Sequence, residues 1–423
     1  MPGPLAGIRV LEFTQVIAGP FGCMLLADMG AEVIKIEPPG GETWRLFSQF
    51  MPGESRTYQE LNRGKRSLVL DLADPRAQDI VHRLVPSIDV VVINYRPDVP
   101  AKLRIDYDTL RALRPDLIYV DSTAFGRKGP MALRPGYDIV VQAVTGLMAG
   151  EGKVTEDGAP EQIRSTAIAD YGTGIAIAWA VSAALFHRQR TGEGQLVESS
   201  LLATALGFQS GSVMEHPIAD TTFRAPARAR RHELADQGAE YSELLAVRNP
   251  MAALGGNFYY RPYRTKDGAI AIGALSPSLW AKVRAALGTD FLGMADPERD
   301  ASNPEWMANA DAKVAEIEAQ VASKTTAEWL AIFERAGVPA GQVNFPEDMS
   351  THPQVLANEY VIELQHELSG PQTQVAPILK FHATPMIPAG ASPPLGRDTE
   401  AYLREASLDD AQIGRLRADG VVG

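Results

Sequence analysis

Asp170 stands in the run Ala167-Ile168-Ala169-Asp170-Tyr171-Gly172-Thr173-Gly174, ahead of an apolar and small-residue segment from Ile175 to Phe186. A carboxylate is a weak nucleophile, but it can attack a thioester. At the head of an apolar helix its anion is stabilised by the helix end, and neighbouring glycines let a substrate approach the backbone closely. Aspartate before a helix is also a common N-cap, a purely structural role that this octapeptide leaves open. Other groups of residues suit an anionic substrate. Asn62-Arg63-Gly64-Lys65-Arg66-Ser67 sets three basic residues around a glycine, a pattern that fits phosphate binding or a solvated turn equally well. Asn94-Tyr95-Arg96-Pro97 closes a Val-rich run, and Lys102 and Arg104 follow. An aromatic and cations beside an asparagine suit an adenine nucleotide with phosphates. Gly136-Tyr137-Asp138 and Gln142 lead into a helical run that stops at Gly146. Tyr137 reads either as a site residue or as a half-buried aromatic with its hydroxyl satisfied.

The elements that must position these residues alternate between strand and helix. Strands are expected over 8–13, 32–37, 67–72, 89–95 and 117–125. Helices are expected over 20–29, stopped by Gly30, and from Pro75 to about Val85, with a short one around 110–113. Such alternation implies a parallel, doubly wound sheet, which binds ligands at the carboxyl ends of its strands. From Asp170 to about Gln209 the pattern is mostly helical, broken at Thr191-Gly192-Glu193-Gly194. Residues 216–257 lose periodicity and carry Arg224, Arg228, Arg230 and Arg231, which read as a solvated face or subunit contact more readily than as a ligand site. A second unit follows, with a strand at 269–272 and helices at 278–287, 310–323 and 327–336. The stretch 338–394 is rich in proline and turns, and short helices near Ala401 and over 409–417 end the chain. The expected division is a large α/β domain over 1–215, a linker and loop over 216–257, a small α/β domain over 258–340, and an extended return segment over 341–423.

Composition excludes several classes. The chain has 423 residues, 45% hydrophobic and 22% charged, enough for two domains. A net charge of -12 argues against a nucleic-acid binder but not against a local basic pocket. The single cysteine, Cys23, permits no intramolecular disulfide and reads as a small buried thiol. The motif G-x-G-x-x-G is absent from the first strand-helix turn and no G-x-x-x-x-G-K-[ST] occurs, so neither nucleotide fingerprint is present; H-E-x-x-H is absent too and the seven histidines are scattered, so no metal site is expected. Neither a membrane span nor a signal peptide is expected, which makes a cytosolic enzyme the default.

Taken together, these clusters resemble the class III CoA-transferases, within the broader family that also holds the alpha-methylacyl-CoA racemases. The resemblance runs over nearly the whole chain. It rests on Gly7-Ile8-Arg9-Val10-Leu11-Glu12-Phe13, Ala18-Gly19-Pro20, the run from Leu26 to Glu37, and Asn62 to Ser67. It continues through Asn94-Tyr95-Arg96-Pro97, Gly136-Tyr137-Asp138, Ala169-Asp170, the run Arg190 to Gln195, Tyr263 to Gly268, Gly337-Val338-Pro339-Ala340-Gly341 and Pro393-Pro394-Leu395-Gly396.

The resemblance implies an interlocked homodimer, each chain threading through the other, with no tightly bound cofactor and coenzyme A as a substrate. It implies that Asp170 attacks an acyl-CoA and passes through a mixed anhydride and an aspartyl-CoA thioester. Tyr137 would stand beside that carboxylate. Ile17, Ala18, Leu70, Asp71, Leu72, Ala73, Asn94, Tyr95, Arg96, Lys102 and Arg104 would contact CoA. Gly255 and Gly256 correspond loosely to a glycine loop that shields the anhydride from water. A racemase needs a base on each face of the alpha carbon. The two positions that would supply them hold Tyr137, a poor base at neutral pH, and Ser276. Transfer is therefore expected over racemisation; a non-catalytic acyl-CoA-binding protein is the other alternative.

Overall fold

The first strand, β1 (Arg9–Phe13), carries apolar side chains on both faces, and so do its neighbours, as strands covered on both sides must. It is followed by α1 (Ala18–Asp28), β2 (Glu32–Glu37), β3 (Arg66–Val69), α2 (Pro75–Leu84), β4 (Val90–Ile93) and β5 (Ile118–Thr123). Next come α3 (Asp138–Thr145), α4 (Ile168–Thr191), β6 (Leu196–Ser200) and α5 (Leu201–Phe208). The computed structural model describes residues 3–222, 224–248, 257–300 and 303–423.

The six strands form one sheet in the order β3-β2-β1-β4-β5-β6, every pair parallel. The order reverses direction between β1 and β4, and such a switch point opens a crevice at the strands' carboxyl ends. The expected doubly wound sheet is therefore present, without the glycine fingerprint that often accompanies it. On one face Leu11, Phe13, Ile34, Ile36, Val91 and Ile93 pack against α2 and against two helices near the carboxyl terminus, Thr399–Glu405 and Asp410–Ala418. On the other, Val10, Val33, Val90, Val92, Ile118 and Val120 pack under α1 and α4.

Strand β6 lies in a stretch expected to be mostly helical. Leu-Val-Glu-Ser-Ser has no clear alternation to read; pairing with β5 along the sheet edge decides its conformation. Residues 361–366 and 370–375 form an antiparallel hairpin in a region expected to be proline-rich and irregular. Helices occupy Arg224–Asp236 and Tyr241–Arg248, where periodicity was lost; the first buries no residue, so no apolar stripe marks it in the sequence.

The chain divides into two units. The larger comprises Met1–Thr155, Pro160–Met214 and Gln354–Gly423, and the smaller Glu156–Ala159 and Glu215–Pro353. The smaller holds a three-stranded antiparallel sheet ordered Ala340–Gln342, Ala269–Gly273, Tyr260–Arg264. Helices Pro277–Leu287, Pro304–Ala322 and Thr326–Ala336 accompany it, around Phe258, Tyr259, Trp329 and Phe333. Each of these helices begins at a capped end, the last with a full capping box of Thr325 and Glu328.

By length and composition α4 would also pass for a membrane span. Within the larger unit it lies along α1 and meets β5, β6 and α5, which accounts for one apolar side. Ile175, Trp179 and Phe186 stay exposed on the other, Trp179 by 74%.

The carboxyl-terminal helices seal one face of the sheet. Leu403→Ala, at a fully buried position, is expected to destabilise the larger unit by about 2–5 kcal/mol, measured by urea unfolding. A cost near zero would mean that these helices do not complete the core.

Candidate active site

A cavity of 360 Å³ opens at the carboxyl ends of the sheet, within the larger unit. Gln15, Val16 and Ala18 come from the β1–α1 turn, and Asn94, Tyr95 and Arg96 from the end of β4. Ser122 and Thr123 end β5, and Leu201 follows β6. Tyr137 and Asp170 complete the wall. The switch point thus gathers residues that lie far apart in sequence.

Asp170 is the third residue of α4, and the N-cap position is Ala167, which supplies no side-chain cap. The capping is done from outside the helix. Asp138, first residue of α3, accepts the backbone N–H of Ala169 at 2.7 Å and that of Asp170 at 3.3 Å through one carboxylate oxygen. Its other oxygen accepts from the Gln142 amide, whose own oxygen accepts the Ile163 N–H at 2.9 Å. Asp170 is therefore not a cap. Among the described residues its carboxylate has no hydrogen-bond or ion-pair partner, although the residue is only 7% exposed.

This arrangement reverses one expectation. The helix end does not hold the Asp170 anion, because Asp138 occupies the N–H groups that would do so. Burial, with the Asp138 charge added, pushes the Asp170 carboxyl up to about 7. A desolvated carboxylate of raised basicity is a stronger nucleophile once ionised than a solvated one.

The neighbouring glycines also differ in purpose from what their spacing suggested. A Cβ on Gly172 would strike the Phe208 ring of α5, and one on Gly174 would lie 2.7 Å from Phe21 and 2.9 Å from the Ala18 carbonyl. They let α4 approach α5 and α1 closely, rather than admitting a substrate to the backbone. Tyr137 is the N-cap residue of α3 and 60% exposed, so it is no core aromatic.

Of the other residues singled out from sequence, Ala18, Asn94, Tyr95 and Arg96 line the cavity. Asn94 also clamps the turn opposite: its Oδ1 accepts the Gln15 N–H at 3.0 Å and its Nδ2 donates to the Gln15 carbonyl at 2.9 Å. Ile17 stands at the N-cap of α1 and is not part of the cavity wall. Leu70, Asp71, Leu72 and Ala73 follow β3, two strands from β1, and are outside it too; Leu70 bridges to Val422 and the Asp71 N–H donates to Val421. Lys102 pairs with Asp98 at 2.7 Å, and the Arg104 guanidinium lies 3.4 Å from Asp79; neither reaches the cavity.

Asn62, Arg63 and Lys65 are buried and engaged by protein groups. Arg63 pairs with Asp28 at 2.6 Å, and Lys65 pairs with Glu12 at 2.9 Å and donates to Asn62 at 2.8 Å. Arg63 and Lys65 thus belong to an internal ion network, whereas Arg66 is half exposed and lies 3.6 Å from Asp398. Ser276 caps helix Pro277–Leu287, its hydroxyl accepting the Leu279 N–H at 3.3 Å. Gly255 and Gly256 lie outside the described residues. Gln15, Val16, Ser122 and Thr123 were not singled out from sequence. Only their position at strand ends marks them, which becomes readable once the strand order is known.

A fold of this order, carrying a buried aspartate at its switch point, can be set beside known proteins. Residues 5–399 match the model of CoA-transferase family III. The chain is 32% identical to succinyl-CoA:glutarate CoA-transferase of Mus musculus, covering 99% of this chain and 90% of the relative. It is 35% identical to succinate–glutarate CoA-transferase of Agrobacterium fabrum, with 95% of each covered. Among solved structures it resembles a CaiB/BaiF family protein from Brucella suis, with a TM-score of 0.73, 28% identity, and 96% and 100% of the two chains covered. The crystal structure of Rv3272 from Mycobacterium tuberculosis matches with a TM-score of 0.74 and 29% identity, over 95% and 99%. The chain belongs to CoA-transferase family III. It is a CoA-transferase, an enzyme whose substrates are CoA thioesters.

An aspartate whose folded-state pKa is about 7 ionises at lower pH once the chain unfolds, near 4. Its contribution to stability is present in full below that unfolded value and is lost as pH rises through 7. Asp170→Asn is therefore expected to raise Tm at pH 8 relative to the native enzyme, with the gain shrinking toward pH 5. A gain independent of pH would show that Asp170 is not the titrating group.

Proposed function

We propose that Asp170 is the nucleophile of a CoA transfer between two carboxylic acids. The observation that carries this reading is a buried carboxylate without a partner, facing a cavity at the switch point of a parallel sheet. An Asp170 oxygen attacks the acyl-CoA carbonyl; the C–S bond breaks, CoA leaves as thiolate, and a mixed anhydride remains. The thiolate attacks the aspartyl carbonyl, giving aspartyl-CoA and releasing the donor carboxylate. An acceptor carboxylate then attacks that thioester, forming a second anhydride and freeing the thiolate. The thiolate takes the acceptor's acyl carbon and returns Asp170. Each step exchanges acyl derivatives of similar energy, so no phosphate donor and no metal enters the scheme.

Asp138 fixes the first turn of α4 and so the direction of Asp170. Ala18, Asn94, Tyr95 and Arg96 would contact CoA near the thioester. From there a long ligand would run along the carboxyl edge of the sheet toward Leu70, Asp71, Leu72 and Ala73. The anhydride must be kept from water, a task for a closing segment to which Gly255 and Gly256 would belong. The relatives' names make succinyl-CoA and glutarate the first donor and acceptor to try. We also propose that two chains interlock as a homodimer. The exposed stripe of Ile175, Trp179 and Phe186 on α4, with Ile139, Val140 and Val144 on α3, supports a covering partner chain.

Incubation with a panel of acyl-CoAs, followed by hydroxylamine and mass spectrometry, should yield a hydroxamate at Asp170. Asp170→Ala should abolish transfer while CoA binding stays within a few-fold of native. Full activity in that variant, or deuterium entering the alpha carbon in heavy water without any adduct, would overturn the mechanism. Mass measurement in solution should return twice the 45.7 kDa chain; a monomer that transfers CoA would refute the interlocked assembly.

A further inference from the structure

The β1–α1 turn that walls the Asp170 cavity is held in a conformation that its sequence opposes. Val16 has φ 71°, in the left-handed region. That region is unfavourable for a β-branched residue, and strain of this kind persists only where the surroundings impose it. The imposing groups can be named one by one. The Thr14 carbonyl accepts from Lys35 Nζ at 2.9 Å. Both backbone polar groups of Gln15 are bonded to the Asn94 side chain. The Val16 N–H donates to Glu42 Oε2 at 2.8 Å.

Glu42 is buried, and its Oε1 lies 3.0 Å from Lys35 Nζ. Lys35 in turn lies 3.2 Å from Glu12 Oε1. Glu42 therefore cannot swing away without leaving a buried ammonium short of a counter-charge. Gln15 and Val16 both line the cavity, whereas Glu42 does not.

We infer that Glu42 is a positioning residue for CoA transfer: anchored by Lys35, it locks Val16 in the left-handed conformation and so sets the wall that faces Asp170. This rests on the reading of the cavity as the transfer site. Glu42 touches no reacting atom; it acts through the backbone of Val16.

The test combines hydrogen exchange with a double-mutant cycle. In the native enzyme the Val16 amide should exchange slowly, as one bonded to a buried carboxylate; rapid exchange would overturn the inference. Glu42→Ala should lower kcat/KM for the native enzyme's best donor–acceptor pair by about 10- to 100-fold. Made in the Val16→Gly background, the same substitution should cost less than about threefold, because glycine adopts positive φ without an external lock. Equal losses in both backgrounds, or a lowered Tm with kcat/KM unchanged, would assign Glu42 a structural role only and sink the proposal. Should Glu42→Ala fail to fold, Glu42→Gln enters the same cycle. It keeps the volume but turns an amide donor toward either Val16 or Lys35, so a loss relieved by Val16→Gly is again expected. Failure of the underlying reading has a different signature: Asp170→Ala that still transfers CoA at the native rate.

Discussion

The carboxyl edge of the sheet depends on one buried ion cluster. Glu12 on β1 stands directly across from Lys35 on β2, and Lys65 arrives from the loop before β3. All three are fully buried. Burying such charges is expensive unless each is matched, and removing one partner of such a cluster typically costs about 3–5 kcal/mol. Here the matching is complete for both ammonium groups. Lys35 meets Glu12, Glu42 and the Thr14 carbonyl; Lys65 meets Glu12, Asn62 and the Pro20 carbonyl. Burial alone would raise the Glu12 carboxyl, but the two lysines outweigh it and hold it below the usual range. These bonds tie together β1, the turn after it, the start of α1 and the segment between β2 and β3. The cluster therefore acts as a fixed origin for the cavity.

Against that origin the Asp170 carboxylate is unlike its surroundings. Nearly every other buried carboxylate here has a cationic or hydrogen-bonding partner: Glu12 the two lysines, Asp28 Arg63, Glu37 Arg45, and Asp138 two backbone N–H groups. Asp170 has none among the described residues. The carboxyl beside it takes the helix-end donors, leaving Asp170 desolvated. One aspartate accepts the helix-end donors and the other is left without a partner, and environment alone separates their chemical character. The close packing of α4 on α1 and α5 offsets the destabilisation this places on the fold.

Much of this was legible in the residues and some was not. The parallel sheet was readable because Val90–Ile93 and its neighbours are apolar on both faces, which only a doubly covered sheet requires. Strand β6 and the hairpin at 361–375 were not, because Leu196–Ser200 and Gly370–Val375 show no clear apolar alternation and their pairing partners decide them. Asp170 was readable as a group at the head of a helix. Whether it capped, and whether its anion was helped or hindered, depended on Asp138, 32 residues earlier. The basic run 62–66 was ambiguous for the same reason: Glu12 and Asp28, which neutralise Lys65 and Arg63, sit far away in sequence.

By itself the amino-acid sequence determined the alternating strand–helix order, the family motifs and the identity of the carboxylate at the head of α4. These are consequences of local patterning and residue type, which need no knowledge of what lies across the fold. Only the tertiary structure decided which strands neighbour one another, and hence that Gln15, Asn94, Thr123 and Tyr137 share a wall with Asp170. It also decided the protonation behaviour of Asp170 and the strain at Val16. Burial, electrostatic potential and backbone strain are sums over groups brought together from distant parts of the chain, and the order of residues along it does not contain those distances.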